Sequence, residues 1–228
     1  RYIHELGAWP QFIWGKEKIT ALLIPIRNRQ GRLFGRMEAL GFPLRSEALL
    51  ETLTQDVIKS SEIEGEILDA RQVRSSIARK LGLAIGGLVS SDRHVDGIVE
   101  MMLDATQSFN KALTKSRLFA WHASLFPGGS SGMHKIVTGA WRDDRHGPMQ
   151  VVSGPAGQER VHFEAPVASR LDKEMKAFLD WFNMEKEIDS VLKAGIAHLW
   201  FVTIHPFDDG NGRMARAIAD MQLARADE

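Results

Sequence analysis

Near its end the chain reads IHPFDDGNGRMAR, from Ile204 to Arg216, and this stretch holds a histidine, two aspartates, two glycines about an asparagine, and two arginines. Pro206 cannot continue a helix's hydrogen bonding, so a helix running into the stretch should end near His205. Gly210 and Gly212 allow backbone angles closed to most residues, and Asn211 is the side chain that tolerates them next best. A new helix is expected to start at Gly212 or Arg213. Free N–H groups at a helix N-terminus, reinforced by the dipole, attract anions. Arg213 and Arg216, three apart, project from neighbouring positions of the first turn. This combination suits a polyphosphate better than a single carboxylate. A polyphosphate normally arrives with Mg²⁺, which one or two carboxylates hold. Asp208 or Asp209 serves, and Asp209, nearer the glycines, is the better candidate. His205 has the pKa range to take a proton from an incoming hydroxyl. The residues alone therefore read as a nucleotide site with a metal carboxylate and a general base.

The same residues carry a resemblance. HPFDDGNGRMAR is similar to the Fic signature, HxFx(D/E)GNGRxxR, at His205, Phe207, Asp209, Gly210, Asn211, Gly212, Arg213 and Arg216. Fic proteins that resemble this chain transfer AMP from ATP to a protein Ser, Thr or Tyr hydroxyl and release pyrophosphate. The resemblance implies His205 as general base, Asp209 as Mg²⁺ ligand, and Asn211 with Gly212 in an anion hole. It implies Arg213 and Arg216 as holders of the outer phosphates and Phe207 as a core anchor; Asp208 falls at a variable position and takes no role. It covers roughly residues 90–228. Other readings of the same site stay open: a different donor nucleotide, removal of AMP instead of its addition, or a nucleotide-sensing regulator of low turnover. Self-modification and homodimer formation also stay open, and any DNA contact would come from parts outside this chain.

Residues 149–163 are the exception to a helical pattern. MQVVS, a turn at GPAGQ and then ERVHF have the period-2 alternation and turn chemistry of a β-hairpin. It sits where the Fic family has its target-binding flap (148–163 here), with Met149, Gln150, Val151 and Val152 on its first strand. An exposed two-stranded edge can pair with an extended peptide through the main chain and hold its hydroxyl in line for attack. The preceding WRDDRHG is read as a solvated loop, with Arg142 or Arg145 as candidates to touch nucleotide or target.

A helix is expected over about 46–68. With Leu50 at zero and ~100° per residue, Leu53, Val57, Ser60 and Glu64 fall on one face, closed by Ile67 and Leu68, while Glu62 and Glu66 fall opposite. Glu64 then points where the apolar residues point, and a buried carboxylate needs a partner. Gly65 beside it suggests close backbone approach. SSEIEG also resembles the Fic inhibitory motif (S/T)xxxE(G/N), with Ser60, Glu64 and Gly65 at its fixed positions. That resemblance implies a contact from Glu64 to Arg216 that spoils γ-phosphate binding.

The remaining pattern predicts a mainly α protein: a Fic-type helical bundle with one β-hairpin flap and an N-terminal helical extension. A helix from Lys16 to about Leu40 is interrupted by Pro25 and Gly31 and should kink or split. Trp9, Phe12 and Trp14 should pack onto a core. Further helices are expected at 92–111, 115–126, 165–184 and 187–203. The division expected is 1–88 as the N-terminal helical region and 89–228 as the catalytic core. The chain opens on Arg1 and stops twelve residues past Arg216, so both ends read as cuts. Lys plus Arg (29) balances Asp plus Glu (29), which gives no general attraction to nucleic acid or anionic membrane. The absence of cysteine excludes disulfides and thiolate chemistry. With no apolar run approaching ~20 residues and no signal-peptide pattern, a cytoplasmic protein is expected. His122 and His198 are read as core or satisfied histidines.

Overall fold

In the computed structural model, residues 1–39, 41–145, 147–155, 158 and 160–226 are described. The pattern resolves into a mainly α fold with two small two-stranded sheets. The chain divides into two compact units: Gln11–Val95, and Asp96–Glu228 together with Arg1–Pro10.

The first unit holds α1 (Lys16–Glu38), α2 (Phe42–Ile63) and α3 (Ala70–Lys80). α1 is one helix that carries Pro25 inside it, so the chain does not split there, and none of its residues is buried. α2 and α3 pack together, with Leu50, Leu53 and Val57 of the first and Val73 and Ile77 of the second all buried. α3 was not anticipated. Its signals were Asp69, whose carboxylate accepts Arg71 N–H as an N-cap, and the apolar pair Val73 and Ile77.

The helix expected over 46–68 lies earlier in the chain, at Phe42–Ile63, and its inward glutamate is not inward. α2 ends at Ile63; Glu64 is its C-cap and is exposed, as is Ile67 (91%). The reason is Gly65. With φ at +80° it sits just past the cap, its N–H donates to the Glu62 carbonyl, and Glu66 N–H donates to the Ser61 carbonyl. That pair of bonds is the glycine-dependent helix stop known as the Schellman motif. A Cβ on Gly65 would meet nothing within 4 Å, so the residue is there for its backbone angle and not for close approach. Glu66, placed by periodicity on the face opposite the apolar residues, pairs with His94. Ser60 is buried on the same helix end.

The second unit gathers α5 (Lys115–Leu125), α6 (Leu171–Met184), α7 (Ser190–Ile204) and α8 (Asn211–Ala224), with α4 (Arg93–Gln107) crossing the division. α7 packs against α6 and α8. It buries residues on most of its sides, among them Ala194, Ile196, Ala197, Trp200, Phe201 and Ile204, as an apolar central helix should. Phe178 meets Trp200 at 5.6 Å and Phe201 at 5.8 Å between ring centroids. The N-terminal segment docks on this unit: Trp9 Nε1 donates to Glu174 (2.9 Å), its ring meets Trp200 edge-on, and His4 Nε2 donates to the Glu164 carbonyl.

The hairpin is present as β3 (Gln150–Ser153) against β4 (Arg160–Glu164), antiparallel, with Gln150 opposite Glu164 and an irregularity between Val151 and Val152. Ala156, Gly157 and Glu159 of its turn lie outside the described residues. A second, shorter pair joins β1 (Ser130–Ser131) to β2 (His134–Lys135), which the sequence pattern did not predict. Among the described residues no helix is long and apolar enough to cross a membrane.

Candidate active site

The site grows from the junction of α7 and α8. Pro206 stops α7, and His205 caps it in the left-handed region (φ 51°), a conformation uncommon for a residue with a Cβ. His205 N–H still reaches the Phe201 carbonyl (3.0 Å). Its ring Nδ1 lies 3.2 Å from the Val202 carbonyl. A carbonyl only accepts, so Nδ1 carries the proton and Nε2 carries the basic lone pair.

The loop after His205 is held from inside. Phe207 is fully buried, with its ring stacked on His122 (4.2 Å, 10° between planes) and tilted against Trp141 (5.1 Å). Asn211 was expected in an anion hole, but its side chain closes the loop: Nδ2 donates to the Phe207 carbonyl (2.8 Å) and Oδ1 accepts Phe207 N–H (3.0 Å). Gly210 takes φ +77°, and a Cβ there would lie 2.9 Å from Phe126 Cε2, so two independent constraints require glycine. α8 begins at Asn211, so Gly212 is already helical and lends its backbone N–H to the first turn, where helix donors are unsatisfied. Arg213 is buried with its guanidinium 5.2 Å from the Phe126 ring centre, and Arg216 is half-buried. Burial, and after it the charge of Arg216, lower the pKa of His198, which puts these two side chains within electrostatic reach. A cation pair at an open helix N-terminus favours a multiply charged anion.

The two aspartates divide their contacts. Asp209 Oδ1 accepts Gly210 N–H (2.6 Å) and its Oδ2 meets the Ser131 hydroxyl of β1. Asp208 Oδ2 accepts Val137 N–H (2.8 Å), an anchor the sequence reading gave no role. Among the described residues no three His, Asp or Glu side chains cluster to cage a metal. Asp209 with Ser131 is nonetheless a donor set that a hard cation accepts when a phosphate ligand supplies further oxygens.

His122 is fully buried and joins three segments. Gly139 N–H donates to its Nδ1 (3.1 Å), so Nε2 bears the proton and donates to the Asp209 carbonyl (3.2 Å). Burial is the main cause that pushes its pKa down to about 4. Arg142 corrects an expectation: it does not lie in a solvated loop. It is 3% exposed, and burial lowers its pKa. Its Nε donates to the His205 carbonyl (2.7 Å) and its backbone N–H to the Pro206 carbonyl (2.9 Å). Arg145 is exposed and pairs with Asp143.

Beside the loop lies a cleft of about 620 Å³. Its lining includes Lys135, Val137 and Asp208 with Met149, Gln150 and Val152 of the hairpin. Three of the four expected flap residues thus share a cleft with the loop, and Val151 is exposed.

Comparison with known proteins matches residues 112–223 to the family described as "Fic/DOC family", and residues 2–83 to a "Domain of unknown function (DUF4172)". The chain is similar to a protein named Protein adenylyltransferase Fic from Nematostella vectensis. The identity is 27% over 217 residues, covering 92% of this chain and 46% of that protein. It is also similar to Protein adenylyltransferase fic-1 from Caenorhabditis elegans, at 30% over 179 residues, 77% of this chain and 32% of that one. A solved Fic family protein from Desulfovibrio desulfuricans G20 superposes with TM-score 0.60 and 26% identity, over 89% of this chain and 57% of that chain. The chain therefore spans less than half the length of these two named relatives.

Proposed function

Because the chain carries a Fic/DOC-family domain, we propose that it transfers AMP from ATP to a Ser, Thr or Tyr hydroxyl of a protein. The observation that carries this reading is the position of a histidine with its basic nitrogen on Nε2 directly before a helix N-terminus that bears Arg213 and Arg216.

His205 Nε2 takes the proton of the incoming hydroxyl. The hydroxyl oxygen bonds to the α-phosphorus as the bond from that phosphorus to the bridging oxygen of pyrophosphate breaks, and pyrophosphate leaves with the electron pair. Backbone N–H groups at the start of α8, from Asn211 and Gly212, and the Arg213 cation stabilise the phosphate charge in place. Arg216 holds the far end of the triphosphate. Asp209, steadied by Ser131, is the residue that would hold Mg²⁺, which when bound neutralises phosphate charge. The β3 edge presents the target backbone, and the cleft receives side chains beside it.

The same reading assigns Glu64, with Ser60 and Gly65, as an inhibitory element that engages Arg216 and keeps ATP in an unproductive pose. It places the reaction in the cytoplasm, where ATP and Mg²⁺ are supplied. Intact-mass analysis of the Glu64→Gly chain after incubation with ATP and Mg²⁺ tests it. The gain of one AMP residue on a hydroxyl is expected, and a gain of phosphate or of no mass contradicts it.

A further inference from the structure

We propose that Arg142 is a positioning residue that ties the base of the flap to the backbone of His205, so that the peptide-presenting hairpin and the proton acceptor are held as one piece. This rests on the reading of His205 as general base.

The side chain of Arg142 is 1% exposed, and its three nitrogens reach three different places. Nε donates to the His205 carbonyl (2.7 Å), Nη1 to Asp144 Oδ1 (2.8 Å) and Nη2 to the Pro166 carbonyl (2.6 Å). Asp144 completes the clamp, since its Oδ2 accepts Ala168 N–H (2.6 Å). Asp144 precedes β3, and Pro166 and Ala168 follow β4. The two stems of the hairpin are therefore stapled to each other, and the staple ends on the catalytic residue. The backbone N–H of Arg142, donating to the Pro206 carbonyl (2.9 Å), grips the same turn a second time.

This geometry explains how His205 keeps its strained backbone. Its φ of 51° and ψ of 60° are a sparsely populated choice for a residue with a Cβ. The direction of its carbonyl follows from ψ, and Arg142 Nε fixes that direction. Once the backbone is fixed, the Val202 carbonyl sets the ring and leaves the basic lone pair on Nε2. Lysine cannot substitute, because a single ammonium lacks the planar fork that serves three acceptors at once. A buried guanidinium with one carboxylate and two carbonyls is an expensive arrangement if it only fills space, because a buried cation needs every donor satisfied.

Two readouts test the inference, both on the full chain in the Glu64→Gly background. The first is the rate of self-labelling from α-labelled ATP. Arg142→Lys and Arg142→Gln are expected to lower the maximal rate about 100-fold, the scale of a small misplacement of a catalytic group, with the half-saturating ATP concentration little changed. Asp144→Asn, which leaves the Arg142 bond to His205 in place, should cost less. The second readout needs no activity: the ring ¹⁵N shifts of His205 should lose their Nδ1-protonated pattern in Arg142→Lys while ATP still binds. A folded Arg142→Lys chain with an unchanged maximal rate, or with unchanged His205 ring shifts, overturns the inference. Full activity in His205→Ala would instead overturn the role of His205 as base, and the ring shifts would still decide whether Arg142 positions it.

Discussion

His122 shows how a residue that does no chemistry can still be required by the site. Its Nδ1 accepts Gly139 N–H, its Nε2 donates to the Asp209 carbonyl, and its face stacks on Phe207. Only the neutral ring can do all three. Its folded pKa, about 4, lies below the ordinary 6.5. Between those values the unfolded chain binds a proton that the folded chain refuses, so stability is lost as pH falls from about 6.5 to 4. The shift corresponds to about 3 kcal/mol at the acid end. Urea unfolding across that range should show the slope in wild type and about one proton less of it in His122→Gln; equal slopes would contradict the assignment. At the same scale, His205→Ala should abolish transfer while leaving ATP binding largely intact, measured by equilibrium binding beside the activity assay. The signature residues stand out in the sequence because phosphate, metal and proton chemistry would each call for particular side chains at fixed spacing. The contacts made by Ser131, Arg142 and Asp208 could not be read there. Arg142 and Asp208 act on backbone groups, which any donor or acceptor can meet, and all three reach contacts 60 or more residues away, so no local pattern marks them.

At the scale of elements, the helices expected from 3.6-residue periodicity are present with errors gathered at their ends, but α3, which has the same periodicity, was missed. The C-terminus of α2 is instructive. Periodicity carried the helix on to Leu68, but Gly65 in the left-handed region and the two bonds to Glu62 and Ser61 stop it at Ile63. One element-scale contact sensitive to change is the close approach of α4 and α5 at Gly97. A Cβ on Gly97 would stand 1.8 Å from the Ser124 carbonyl oxygen, and backbone cannot step aside as a side chain can. Gly97→Ala should therefore destabilise the protein by about 2–4 kcal/mol, measured as a lower urea midpoint. A change below about 0.5 kcal/mol would contradict so close an approach. The hairpin was legible from its alternation and turn residues. The β1–β2 pair was not, because two-residue strands leave no period to detect.

For the molecule as a whole, two units carry different halves of the proposal. Residues matching a domain of unknown function include Glu64, and residues matching the Fic/DOC family include His205 and Arg216. Glu64→Gly is expected to raise self-modification at least tenfold with no loss of thermal stability, because Glu64 is an exposed cap and not a core residue. An unchanged rate would remove the inhibitory role and leave the transfer reaction standing. The most direct test of the whole account is self-labelling with ATP carrying its label at the α-phosphate or at the γ-phosphate. It is run on wild type, on Glu64→Gly and on Glu64→Gly combined with His205→Ala. The account predicts α-label on the Glu64→Gly chain, little on wild type, none on the double variant, and no γ-label on any. Incorporated γ-label, or α-label that survives the loss of His205, would contradict it.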